Sequence, residues 1–157
     1  MLGLRVIWVG KSQPRFVEDG VAFYRERIAH FQPLELVEVR SASHSGRDAE
    51  GALRRESEAI LKRLVPDDPV VLLDERGRQR TTPELADWLA GLQAQAGRPL
   101  TLIVGGAYGV DEAVRRRADH ALSLSPLTWP HQLVRVMLLE QLYRCCSLRA
   151  GHAYHHP

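Results

Sequence analysis

Five short runs rich in Val, Ile and Leu alternate along the chain with longer stretches in which apolar residues recur every three or four positions. The short runs predict strands at Leu4–Val9, Leu34–Arg40, Val70–Leu73, Leu100–Val104 and Ala121–Leu124. The longer stretches predict helices. Pro14 opens the first, which carries Phe16, Val17, Val21, Tyr24 and Ile28 at helical spacing, and a second runs from about Asp48 to Val65 with Leu53, Ile60, Leu61 and Leu64 as its apolar face. Thr82 and Pro83 start a third around Leu85, Trp88, Leu89 and Leu92. Asp111 caps a short fourth holding Arg115, Arg116 and Arg117, and Pro130 opens the last, which extends to about Ser147. Strands alternating with helices predict an α/β fold with a parallel sheet, and the pattern alone stops at an open, doubly wound sheet. The linker Ser41–Arg47 is too short to divide the chain, so residues 1–157 read as one domain.

The last predicted helix is unusual. Leu133, Val134, Val136, Met137, Leu138, Leu139, Leu142 and Tyr143 leave it almost no polar face, and such a helix must be covered on more than one side. In a chain of 157 residues a second subunit is the economical cover, which predicts a homodimer. A chain of this length buries roughly 68–70% of its unfolded surface, and 45% hydrophobic residues with a net charge of +2 exclude disorder. No uncharged stretch reaches the roughly 20 apolar residues of a membrane span, and Pro99–Val110 contains two adjacent glycines. The amino-terminal apolar run is broken by Arg5 and lacks a small-residue cleavage pattern, so a cytoplasmic protein is expected. Cys145 and Cys146 are neighbours within an apolar helical pattern and read as small buried side chains, not as a disulfide framework. The near-neutral charge argues against a protein that coats nucleic acid, but residues 121–157 carry Arg135, Arg144 and Arg149 against Glu140 alone, with four of the seven histidines.

Ligands of parallel α/β sheets bind beyond the carboxyl ends of the strands, so the segments after each predicted strand are the place to look. Three are informative: Leu73-Asp74-Glu75-Arg76-Gly77, Gly105-Gly106-Ala107-Tyr108-Gly109, and Ser125-Pro126-Leu127-Thr128-Trp129-Pro130-His131. The glycines of the second permit positive φ and close approach of a ligand, although a sterically tight turn would need them equally. The two prolines and the tryptophan of the third stiffen a loop whose free N–H and C=O groups can face a planar heterocycle; a rigid connector would look the same. His131 sits at a helix start, where the macrodipole favours the neutral ring. His152, Tyr154, His155 and His156 follow Gly151 on a short tail, but with no cysteine or carboxylate beside them they make a poor metal set, and no metal is expected.

The runs LDERG (Leu73–Gly77), IVGGAYG (Ile103–Gly109), SLSPLTWPHQLVRVMLLEQLYR (Ser123–Arg144) and AYHH (Ala153–His156), together with WVGK (Trp8–Lys11) and the helix bearing Tyr24 and Arg27, span the chain. In these runs it resembles the ribosomal RNA large subunit methyltransferase H family of the SPOUT superfamily of α/β-knot methyltransferases. The resemblance implies a carboxyl-terminal trefoil knot, which pattern reading would reject because knots are rare. It further implies a homodimer, S-adenosylmethionine as methyl donor, and transfer to N3 of a pseudouridine in 23S ribosomal RNA of the assembled ribosome. It assigns the donor to Leu73, Gly105 and the loop Leu124, Ser125, Pro126, Leu127, Thr128 and Trp129. It places Arg135, Arg144, Tyr154 and His155 at the active-site rim or on RNA: His131, His155 and Arg135 stand as catalytic candidates, Arg144, Tyr154 and His155 as RNA contacts.

N3 of pseudouridine carries a weakly acidic proton, so methylation needs a base or a donor that stabilises the anion, for which His131 and His155 are the candidates. The ending Tyr154-His155-His156-Pro157 leaves the role of His156 open. Two other readings stand beside this one. A flavodoxin-like nucleotide-binding module would cradle a phosphate at Gly105–Gly109 and bind phosphate-dependently; a non-catalytic ribosome factor would have lost donor affinity, against which Gly105, Gly106, Thr128 and Pro130 argue.

Overall fold

The computed structural model describes residues 2–42 and 48–157. Five parallel strands form one sheet in the order β2-β1-β4-β3-β5: β1 is Leu4–Val9, β2 Leu34–Val39, β3 Val70–Arg78, β4 Leu100–Val104 and β5 His120–Leu122. The helices are α1 (Arg15–Ala29), α2 (Ala49–Arg63), α3 (Thr82–Ala96), α4 (Glu112–Arg117) and α5 (Leu133–Arg149). The α/β fold class and the β/α alternation therefore hold. Of the Ser41–Arg47 linker, residues 43–47 lie outside the described residues.

Each face of the sheet has its own core. On one, Leu4, Val6 and Trp8 of β1 and Leu100, Leu102 and Val104 of β4 meet α1, α3 and α5; on the other, Ile7, Val9, Val37, Leu72 and Ile103 meet α2 and α4 through Ile60 and Val114. Burial on both faces explains why these strands read as nearly continuous apolar runs. Helix α5 packs on α1 and α3, which bury Leu138, Leu139 and Leu142, and Gly20 lets α1 come so close that a Cβ there would lie 3.0 Å from both methyls of Val136. Cys145 and Cys146 are buried free thiols, and burial pushes the Cys145 thiol up to about 12. Among the described residues no helix is long and apolar enough to cross a membrane.

Several elements depart from their predicted spans by a residue or two at their ends, and two larger departures matter for the site. Strand β3 continues five residues past Leu73, because its polar end folds back along β5: Leu122 pairs with both Leu73 and Arg78, and Ser123 N–H donates to Arg78 O at 3.0 Å. Gly77 makes this crossing possible, since a Cβ there would lie 2.6 Å from the carbonyl carbon of Ala121. Helix α5 begins at Leu133, not Pro130, because Pro130–Gln132 form a preceding turn and Gln132 directs its amide elsewhere. Phe16, expected on the inner face of α1, is 64% exposed.

Candidate functional site

The extensions of β3, β4 and β5 converge at the carboxyl edge of the sheet on a cavity of about 470 Å³, within the roughly 300–1,000 Å³ of small-molecule sites. Leu73, Gly105, Leu124, Ser125, Leu127, Thr128, Trp129 and His131 all line it, while Pro126 lies within the same loop without reaching the wall. The loop holds itself open. Ser123 Oγ donates to Ser125 O at 2.9 Å, Leu127 N–H donates to Ser125 Oγ at 3.0 Å, and Thr128 Oγ1 donates to Glu75 Oε2 at 3.3 Å, fastening it to the β3 extension. With these bonds made, most other backbone groups of residues 124–129 stay available to a ligand.

The glycine turn after β4 is sterically required. A Cβ on Gly105 would lie 2.9 Å from the carbonyl carbon of Gly109, whose own φ is +78° and whose N–H donates to Gly106 O at 3.0 Å. Of the two readings of these glycines, the tight turn is therefore met, and the same turn forms one wall of the cavity.

Sequence reasoning singled out the Leu73–Gly77 segment but not the charge pairing it makes at the rim. Asp74 and Arg115 form a close ion pair there, and Glu75 and Arg76 stand beside it. Burial would raise the Asp74 pKa, but the N–H of Arg76 and the Arg115 guanidinium outweigh it and hold the carboxyl below its ordinary range. The available signal was an Asp-Glu pair directly after an apolar strand. Its partner Arg115 was hidden among three consecutive arginines.

His131 keeps its expected neutrality, chiefly for another reason than the one expected. It lies ahead of α5, and burial lowers its pKa, reinforced by the Arg135 cation and opposed by the Glu56 carboxylate. Arg135 requires a correction. It is 0% exposed, and its guanidinium donates to Gly10 O at 2.9 Å, to Ser12 Oγ at 3.2 Å and to Val9 O, with the Trp8 ring 4.9 Å away. Sealed against backbone, it cannot touch a substrate as a catalytic group. Burial lowers its pKa to about 10, so it remains a cation at neutral pH.

Arg144, Tyr154 and His155 form a separate cluster. Arg144 Nε and Tyr154 Oη both donate to Glu140 Oε1, at 2.9 and 3.3 Å, Arg144 Nη1 lies 3.3 Å from His155 Nδ1, and the Arg144 guanidinium stacks 4.8 Å from the Tyr154 ring centre. None of the three lines the first cavity. Glu140 instead borders a second cavity of about 420 Å³ that meets the first at Leu122 and Leu124. His156 is exposed at the chain end.

The strand ends of this parallel sheet wrap one cavity, and the family model described as "Predicted SPOUT methyltransferase" matches residues 2–155, which places the chain in the SPOUT class of methyltransferases. The fold of a probable methyltransferase from Bordetella pertussis is similar, with a TM-score of 0.57 at 15% identity over 92% of this chain and 96% of that one. Proteins named ribosomal RNA large subunit methyltransferase H are much nearer in sequence: that of Pelobacter propionicus is 47% identical over 98% of this chain and 99% of its own length, and that of Geobacter metallireducens is 44% identical over 98% of each. The chain belongs to the ribosomal RNA large subunit methyltransferase H family.

Proposed function

We propose that this protein uses S-adenosylmethionine to methylate N3 of a pseudouridine in 23S ribosomal RNA of the assembled ribosome, as a cytoplasmic homodimer. The observation that carries the reading is the convergence of the Leu73, Gly105 and Leu124–Trp129 segments on one cavity, in a chain 47% identical to a protein so named. The cavity suits the donor. Leu73, Leu124 and Val134 offer apolar walls for an adenine, the backbone of residues 124–129 offers polar groups to its edge, and the Glu75 carboxylate offers a partner for an ammonium group. The donor supplies an electrophilic methyl on a sulfonium, which leaves as a neutral thioether.

The protein's own contribution is placement and proton handling. Holding nucleophile, methyl and leaving group in line can remove up to roughly 7–11 kcal/mol of barrier in favourable cases. His131, neutral and in the cavity wall, can accept the N3 proton as the N–C bond forms. His155 is held differently. The guanidinium has donors only, so the contact from Arg144 makes His155 Nδ1 the acceptor and occupies the lone pair with which the ring could take a proton. Of the two base candidates this favours His131.

Two further features of the resemblance fit this reading. The placement of Leu122 between Leu73 and Arg78, with Gly77 against its backbone, suits a chain threaded through a loop as a knot requires. Phe16 and Phe23, exposed on either side of Gly20 on α1, and the half-buried Val136 and Met137 on α5 offer an apolar face to a second copy.

The decisive experiment is transfer of labelled methyl from S-adenosylmethionine to ribosomes lacking the modification, with separated subunits and free RNA in parallel. Label on large-subunit RNA only from assembled ribosomes is expected, because shape readout of structured RNA needs the assembled particle. Equal labelling of a naked stem-loop would contradict the ribosome requirement, and donor binding without transfer to any of these substrates would contradict the substrate.

A further inference from the structure

Strand β1 ends beside the cavity, Trp8 lying opposite Val104 of β4, and the chain then leaves the sheet through Gly10 at a φ of +78°. Nothing in the reaction uses the segment that follows, yet two side chains from the start of α5 hold four backbone groups of Val9–Gln13, three carbonyls and one N–H. Arg135 takes the carbonyls of Val9 and Gly10 and the hydroxyl of Ser12. Gln132, one turn earlier, pairs its amide twice: Nε2 donates to Lys11 O at 3.0 Å and Oε1 accepts from Gln13 N–H at 3.0 Å. His131 and Val134, which alternate with these two residues along the chain, line the donor cavity.

The choice of arginine is informative. Burying a cation is costly, and a well-packed apolar side chain of similar volume is often as good or better for stability. Arg135 makes no ion pair among the described residues; its charge is met by carbonyl dipoles and the Trp8 ring, with the Glu38 carboxylate favouring the cation from beyond ion-pair distance. Such a group fixes backbone position more than it adds stability. What it fixes is the carrier of Lys11, which is exposed and has no ion pair among the described residues, whereas Arg15 just beyond faces Asp19 at 3.9 Å. A compact ammonium on a rigid segment, next to a cavity that handles an RNA base, suits a single phosphate.

We propose that Gln132 and Arg135 are positioning residues that hold Val9–Gln13 beside the donor cavity so that Lys11 meets a backbone phosphate of the RNA substrate. This rests on the functional reading above. The test is steady-state transfer to ribosomes by the full-length protein across a salt series, with donor affinity measured separately by calorimetry. Lys11→Ala should raise KM for ribosomes about tenfold, leave kcat and donor affinity unchanged, and reduce the salt slope of ribosome binding by about one. Gln132→Ala should give the same KM effect, and the double variant should be no worse than either single one, because Gln132 acts through the segment that carries Lys11. An unchanged KM and salt slope in Lys11→Ala would overturn the inference, as would additive effects in the double variant or a loss of donor affinity in Gln132→Ala equal to its rise in KM. No transfer by the wild-type protein would overturn the functional reading and this inference with it, whereas a normal wild type with an indifferent Lys11→Ala would overturn this inference alone.

Discussion

His131 and Arg135 stand four residues apart, and burial acts differently on their expected roles: the histidine faces a cavity and stays neutral as expected, whereas the arginine is sealed away as a cation and loses the catalytic part expected of it. If His131 takes the N3 proton, the single-turnover rate should rise with pH through a pKa below the ordinary histidine value of about 6.5 and then level off. His131→Gln should lower the plateau about 10²–10⁴-fold and abolish that rising limb; a variant that keeps the wild-type rate and profile would remove His131 from the reaction. The same shift bears on stability. Because the folded chain resists the proton that the unfolded chain takes up, the contribution of His131 is complete above about pH 6.5 and declines as pH falls from there through the folded pKa. The cavity-lining positions were legible in sequence because they follow strands, where a parallel sheet opens to ligands. The fate of Arg135 was not, since an arginine amid apolar helical residues reads alike whether it snorkels to solvent or caps a buried carbonyl cluster.

Among the elements, the β3 extension does the most to shape the site. Gly77 lets it cross β5, and Asp74 ties it to α4 through Arg115. Gly77→Ala pushes a methyl against the backbone of Ala121 and Leu122, which cannot yield as a flexible side chain could, and should cost about 1–3 kcal/mol in urea unfolding. Asp74→Asn should lower stability at pH 7, and the difference from wild type should shrink as pH falls below about 3.9, because a carboxylate whose folded pKa is depressed stabilises only while ionised. Parallel unfolding curves at pH 7 and pH 3 check this; an equal difference at both would place the effect elsewhere. Sequence periodicity found all ten elements but ended β3 at Leu73, because Asp74–Arg78 is polar and pairs only through contact with a strand more than forty residues away. It also started α5 at Pro130, since a proline at a helix start and one in the turn before it look identical along the chain.

At the scale of the whole molecule, sedimentation at micromolar concentration should give a dimer, and Val136→Glu should shift it toward monomer; a wild-type monomer would remove the proposed second-copy interface. What the sequence by itself determined is local or periodic: the strands and helices, the α/β class, the burial of both faces of the sheet, and the three post-strand segments in which chemistry would reside. Apolar spacing and turn residues encode these directly. Only the tertiary structure decided what depends on residues distant in sequence: the order β2-β1-β4-β3-β5, the return of β3 across β5, the Asp74–Arg115 pair, and the clamp of Arg135 and Gln132 on a segment some 120 positions earlier. Hydrogen-bond partners of a buried charge leave no periodic trace along a chain, and the fold selects them by bringing together groups that burial will not leave unpaired.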